Sequence, residues 1–264
     1  MFAGTLDSWP PPQAKAWRPL IQTFAPDERQ DDGAFLDSIG ELRVDRVDLP
    51  GTSVAFQVVR PVNYDRLIDE AAADPEQNLP YWAEIWPSGM ALAARIARTP
   101  EIVNGNRVLE LGCGLGVTAI AALKAGADLL VTDYAPEALA LCEHNTLRNL
   151  DRAPNQWRLN WRDPAQVRAL SLTGPFPVVL AADVLYERRD IEPLLSLVEH
   201  VVGPGGQLWL AEPGRAPAAI FLDAMRGRGW ECASEPCAGP WPDPDDNRKG
   251  IVVSIHRMRR PASG

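Results

Sequence analysis

Three glycines at alternate positions, Gly112, Gly114 and Gly116, break off an apolar run at Val108–Leu111 and lead into a helix-forming run from Thr118 to Ala125. Without a Cβ in the turn, a ligand can lie against bare backbone. The N-terminus of the helix that follows can hold an anionic group there. Glu110 stands just before the turn, and seventeen positions after Gly116 a second apolar run, Leu129–Thr132, ends on Asp133. In a βαβ unit that carboxylate reaches the carboxyl end of the neighbouring strand, where it can accept two hydrogen bonds from a ribose diol. The competing reading is an acid that only shapes the turn before Pro136.

The spacing is Gly-x-Gly-x-Gly, not the Gly-x-Gly-x-x-Gly of dinucleotide-binding proteins. With Glu110 and Asp133 it resembles motif I of the class I, seven-strand S-adenosylmethionine-dependent methyltransferases. That resemblance implies S-adenosyl-L-methionine as the cofactor, with Glu110, Gly112, Gly114, Gly116 and Asp133 around it.

Two further groups fall where strands should end. Trp161-Arg162-Asp163 could overlie an adenine, the indole stacking on the purine and Asp163 accepting from its exocyclic amine. Alternatively, Trp161 packs at the edge of the core and Asp163 caps the helix before Pro164. Asp183-Val184-Leu185-Tyr186-Glu187 sends an acid, a phenol and a second acid out beside the glycine turn. Methyl transfer from a sulfonium is an in-line displacement that needs alignment and water exclusion more than strong acid–base chemistry. Asp183 could accept from an attacking amine and orient its lone pair, with Tyr186 walling the site. Against this stands Asp183 as a helix N-cap with Tyr186 as packing.

These residues, with the upstream Pro80-Tyr81-Trp82-Ala83-Glu84-Ile85-Trp86-Pro87-Ser88-Gly89, resemble the methyltransferase-like lysine methyltransferases. That group carries a Trp-Pro-x-Gly element before motif I and Asp-x-x-Tyr after strand four. Ala211-Glu212-Pro213-Gly214-Arg215 is similar to the Asp-Pro-Gly-Arg of the branch that modifies the β subunit of electron-transfer flavoprotein, with Glu212 in place of Asp. The resemblance spans about residues 80–215. It implies that Trp86, Ser88 and Gly89 lie near the methionine end of the cofactor, that Trp161 lies at the adenine, and that Asp183 serves both cofactor and reaction. Read as residues alone, Trp82 and Trp86 are core anchors.

Such groups need strands to present them. Alternating Leu42, Val44 and Val47, then Leu49-Pro50-Gly51, then Val54, Phe56 and Val58 predict a β-hairpin over 41–60. Asn63 caps a short helix ending near Pro75, and Ser88 caps the next. Strands follow at Arg107–Leu111, Leu129–Asp133, Gln156–Trp161, Pro177–Asp183, Gln207–Glu212 after a Pro204-Gly205-Gly206 turn, near Trp230–Ser234, and at Gly250–His256. Helices fall at 118–125, from Pro136 through Leu147, at Ile191–Val202 and at Pro217–Arg228. The alternation predicts an α/β fold, a Rossmann-like doubly wound seven-stranded sheet, mostly parallel with an antiparallel last strand. Residues 79–264 form the cofactor-binding domain. Residues 1–78 form an extension with the hairpin, on which Trp9, Trp17, Leu20, Ile21 and Phe24 could wrap the domain.

A formal charge of −9, with only Lys15, Lys124 and Lys249 as lysines, argues against nucleic acid as the main partner. No apolar run approaches a membrane span, and Met1–Asp7 lacks the basic and apolar regions of a secretory signal. Cys113, Cys142, Cys232 and Cys237 form no Cys-x-x-Cys pair, so no metal site is expected, and a reducing, cytoplasmic setting is. The loop 235–247 offers Trp241, Asp243, Asp245 and Asp246 at the ligand-binding edge, where they could draw a lysine-bearing protein; otherwise it is a solvated tip. The expected activity is S-adenosylmethionine-dependent methylation of a protein lysine. The alternatives are a small-molecule N- or O-methyltransferase and a nucleotide-binding protein without catalysis. A dehydrogenase is disfavoured by the glycine spacing and by the absence of a His or Lys partner for hydride transfer at the sheet edge.

Overall fold

The computed structural model describes residues 39–72, 79–241 and 250–262. Seven strands form one sheet: β3 (Arg107–Leu111), β4 (Asp128–Asp133), β5 (Asn155–Arg158), β6 (Phe176–Ala182), β7 (Val202–Glu212), β8 (Glu231–Ala238) and β9 (Val252–Arg259), in the order β5-β4-β3-β6-β7-β9-β8. β3, β4, β5, β6 and β7 pair in parallel, and β9 runs antiparallel to both β7 and β8. The chain order reverses between β3 and β6, which opens a crevice at the carboxyl ends of those two strands.

Both faces of this sheet are covered, so its central strands are apolar at almost every position. Val108, Val178 and Leu180 join one core, while their neighbours Leu109, Leu111, Val179 and Ala181 join the other. On the first face lie α2 (Pro87–Arg98), α3 (Val117–Lys124) and α4 (Pro136–Leu150); on the second lie α5 (Pro164–Ser171), α6 (Ile191–Val201) and α7 (Ala216–Gly227). No helix among the described residues is long and apolar enough to cross a membrane.

The hairpin is present as β1 (Leu42–Asp48) and β2 (Ala55–Pro61), followed by α1 (Tyr64–Ala72), at whose start Asn63 Oδ1 accepts from Arg66 N at 3.0 Å. Val47, Phe56 and Val58 bury into the first core. The free edge of β2 is taken up by side chains one helical turn apart on α4. Asn145 accepts from Val59 N (2.7 Å) and donates to Val59 O (3.0 Å), and Asn149 does the same at Gln57 (2.9 and 2.8 Å). Two amides thus mimic a neighbouring strand.

Four local expectations change. α2 starts at Pro87 with Trp86 as its N-cap, so Ser88 lies inside the first turn, fully buried, and caps nothing. β5 ends at Arg158, which leaves Trp161 in the turn beyond it. β7 already pairs at Val202 and carries Pro204-Gly205-Gly206 within it as a register irregularity, because Phe176 of β6 still finds a partner there. Glu235–Ala238 of the predicted acceptor loop belong to β8, and Trp241 Nε1 donates to Ile251 O at 2.8 Å. Asp243, Asp245 and Asp246 lie outside the described residues, as do Trp9, Trp17, Leu20, Ile21 and Phe24.

Candidate active site

The glycine turn closes β3 with all three glycines at positive φ: +67° at Gly112, +49° at Gly114 and +81° at Gly116. A Cβ on Gly112 would stand 2.9 Å from Val184 Cγ1, and one on Gly116 would stand 2.8 Å from Cys142 Sγ and 3.1 Å from its Cα. Both conformation and space therefore demand glycine. Gly116 is also the N-cap of α3, and Val117 and Thr118 of its first turn line the crevice.

Asp133 ends β4 and reaches back into this turn. Its Oδ2 accepts from Gly114 N at 3.0 Å and its Oδ1 from Ala135 N at 3.1 Å. Burial outweighs these bonds and pushes the carboxyl up to about 6. Glu110, 2% exposed, points to the same place, and its Oε2 has no hydrogen-bond partner among the described residues. Burial, reinforced by the charge of Asp133, pushes its carboxyl well above the usual range. A buried acid with an orphan oxygen beside a bare-backbone turn is chemistry suited to a cationic or N–H-bearing ligand.

A cavity joins these groups. Its lining includes Trp86, Gly89, Glu110, Gly112, Gly114, Gly116, Asp133, Trp161, Asp183 and Tyr186. Ser88 stands behind the wall, its Oγ buried and without a hydrogen-bond partner among the described residues. The edge of the Trp161 ring lies over Gly112, and its Nε1 donates to Asp190 Oδ1 at 2.9 Å. Asp190 is fully buried and takes a two-point contact from Arg162 at 2.7 and 2.9 Å. The indole is therefore locked in place. Asp163 turns away: it is the N-cap of α5, accepting from Ala165 N at 2.8 Å, so its predicted adenine contact gives way to the cap.

Asp183 leaves β6 at φ +56°, a left-handed conformation uncommon outside glycine, and it is 8% exposed. It does not cap a helix; the next helical turn starts at Arg188 with Glu187 as its N-cap. Instead it pairs with Arg215, whose guanidinium also lies 6.0 Å from the Trp86 ring centroid. Tyr186 packs edge-on against Tyr81 at 4.9 Å, and Trp86 Nε1 donates to Tyr81 O at 2.7 Å. Burial raises the Tyr186 phenol above its ordinary value, so it stays protonated. The result is an aromatic wall with one paired carboxylate at its mouth. Arg215, Tyr81 and Asp190 went unassigned in the sequence. Arg215 had a signal in the Glu-Pro-Gly-Arg element and Tyr81 in the Tyr-Trp-Ala-Glu-Ile-Trp segment, whereas Asp190 had none.

A family model described as lysine methyltransferase matches residues 76–226. An electron transfer flavoprotein beta subunit lysine methyltransferase from Xenopus laevis is 37% identical over 144 residues, covering 52% of this chain and 54% of the relative. An EEF1A lysine methyltransferase 3 from Mus musculus is 29% identical over 136 residues, covering 51% and 56%. The chain spans about half the length of the curated relatives it matches. A solved structure of a candidate S-adenosylmethionine-dependent methyltransferase from Streptococcus mutans superposes with a TM-score of 0.56 at 10% identity, over 82% of this chain and 55% of that one, a likeness of fold.

Proposed function

The chain belongs to the lysine methyltransferase family, and on that premise we propose that it is an S-adenosylmethionine-dependent enzyme that methylates a lysine side chain of a protein. The observation that carries this reading is Asp183, held in a left-handed turn by Arg215 where the glycine cradle meets the wall of Tyr81, Trp86 and Tyr186.

The residues present fit the cofactor. Gly112, Gly114 and Gly116 leave room against the backbone, Asp133 would accept from ribose hydroxyls, the anchored Trp161 ring would stack on the adenine, and the orphan oxygen of Glu110 would suit a cationic end. Trp86 and Gly89, which line the cavity, would close the methionine side, with Ser88 supporting them from behind. Bound there, S-adenosylmethionine supplies a methyl group on a sulfonium. Asp183 would accept an N–H of the incoming amine and point its lone pair along the axis of displacement. The apolar wall favours the neutral amine, the form that attacks, because desolvation disfavours an ammonium. Transfer would exchange the C–S bond for a new N–C bond, leaving S-adenosylhomocysteine and a methylammonium whose extra proton would pass to solvent water.

The family membership and the names of the relatives support a protein acceptor. Residues 79–264 carry the site, and the extension before them braces it through the hairpin. The described cysteines are all unpaired, which supports a reducing, cytoplasmic setting. Tritiated S-adenosylmethionine incubated with the protein and a lysate of its source organism, followed by mass spectrometry of the labelled band, tests the reading. Label on a lysine of a protein is expected; label only in the small-molecule fraction overturns it.

A further inference from the structure

The hydrogen bonds that place Asp183 continue beyond Arg215. Glu212, at the end of β7 and 5% exposed, accepts through Oε2 from the backbone N–H of Gly214 (2.6 Å) and of Arg215 (2.9 Å). Those two bonds fold the Glu-Pro-Gly-Arg segment back on itself, and the Arg215 guanidinium thereby meets Asp183. The other oxygen, Oε1, lies 3.1 Å from Nε2 of His256 on β9, and His256 Nδ1 lies 2.7 Å from Ser234 Oγ on β8. His256 is 6% exposed, and Ser234 is its directly opposed neighbour across the strand pair.

We propose that His256 is a positioning residue for methyl transfer: held by Ser234, it fixes Glu212, which sets the Glu-Pro-Gly-Arg turn and so holds Arg215 against Asp183. The proposal rests on the reading of Asp183 as the group that orients the amine. An imidazole donating from Nε2 and accepting at Nδ1 matches both neighbours, since Glu212 only accepts and the Ser234 hydroxyl can donate. Burial opposes the charge on Glu212, yet the bonds from His256 and from the two backbone N–H groups outweigh it and hold the carboxyl below its usual range. The sequence of contacts follows the serine–histidine–carboxylate order of hydrolases. Here, however, Ser234, His256 and Glu212 do not line the cavity, and the far end of the chain of bonds is Asp183, which does. Ser234, on the edge strand, is thus connected to Asp183 through the side chains of His256, Glu212 and Arg215 and one turn.

The test compares the parent with His256→Phe, His256→Gln, Ser234→Ala and Asp183→Asn. Each is assayed with tritiated S-adenosylmethionine and recombinant electron-transfer flavoprotein β subunit as acceptor, for S-adenosylhomocysteine affinity, and by NMR for solvent exchange of the Arg215 Nε–H. His256→Phe should lower kcat about tenfold, leave S-adenosylhomocysteine affinity within about twofold, and expose the Arg215 Nε–H to exchange. His256→Gln, whose amide can donate to Glu212, should restore most of both. Ser234→Ala spares the packing and should lower kcat about two- to threefold; it carries the test if His256→Phe fails to fold. Parent-like kcat and exchange in His256→Phe, or failure of Gln to restore either, makes His256 a packing residue and overturns the proposal. If Asp183→Asn turns over like the parent, the reading beneath it falls as well. If the parent leaves this acceptor unlabelled, only the choice of acceptor is wrong, and the Arg215 resonance decides the proposal by itself.

Discussion

Asp183 and Arg215, 32 residues apart in sequence, meet in a two-point ion pair at the carboxyl ends of β6 and β7, with Nε 2.7 Å from Oδ1 and Nη2 3.2 Å from Oδ2. A carboxylate whose two oxygens are both engaged by a guanidinium is fixed in orientation, which suits it to aligning an amine. Removing the charge while keeping the shape isolates that role, because asparagine tolerates the left-handed backbone at this position. In Asp183→Asn, kcat should fall at least about a hundredfold with S-adenosylmethionine affinity within about twofold. Parallel loss of affinity and melting temperature would make Asp183 structural instead.

Cofactor affinity should depend on pH through Asp133. With its native value near 6, the carboxyl is ionised above that pH and can accept from a ribose hydroxyl; below it, protonation removes the acceptor. Calorimetry with S-adenosylhomocysteine should give a constant affinity from pH 8 to 7 and up to about a tenfold loss per unit well below 6. Asp133→Asn should bind more weakly at pH 8 and lose the dependence. The same carboxyl opposes folding of the unliganded protein above pH 6, a cost that fades as the pH falls from about 6 towards 3.8. A flat affinity profile in the parent would remove Asp133 from ribose binding.

Adenine stacking on Trp161 requires a ring that is already fixed, and Asp190 fixes it. Trp161→Leu should weaken S-adenosylhomocysteine binding about tenfold, for a stack worth about 1–1.5 kcal/mol, and should diminish the fluorescence quench. Asp190→Asn weakens the hold on both Trp161 and Arg162, and a smaller loss of affinity is expected from it. Unchanged affinity and quench in Trp161→Leu would return the indole to packing.

The hairpin should contribute measurably to stability through α4. Asn145 satisfies Val59 on both its N–H and C=O and also donates to Leu115 O in the glycine turn at 3.0 Å. Asn145→Leu leaves those buried backbone groups without partners, at about 1–3 kcal/mol each, so a clear fall in melting temperature is expected. Asn149→Leu, at an exposed pair, should cost less. Equal small effects from both would mean that the apolar face of the hairpin, not this pairing, docks it.

The parts legible in the sequence are those set by local rules. Strand and helix periodicity placed the sheet. The glycine spacing placed the turn, and the position of Asp133 at a strand end followed from the βαβ unit. Asp183 and Tyr186 came from the same reasoning, and each of these residues does line one cavity. Local rules left Ser88 and Asp163 ambiguous, because a serine or aspartate near a helix start can cap it or face a ligand. Which happens depends on where the first turn begins: at Pro87, one residue before Ser88, and at Pro164, one residue after Asp163. Asp190 on Trp161, Arg215 on Asp183, Asn145 on Val59 and His256 on Glu212 join residues 29, 32, 86 and 44 positions apart. No periodicity encodes those distances. They arise from tertiary packing: the crevice between β3 and β6 gathers Trp161, Asp183 and their partners, the antiparallel pairing of β9 with β7 brings His256 to Glu212, and the docking of the hairpin on α4 brings Val59 to Asn145.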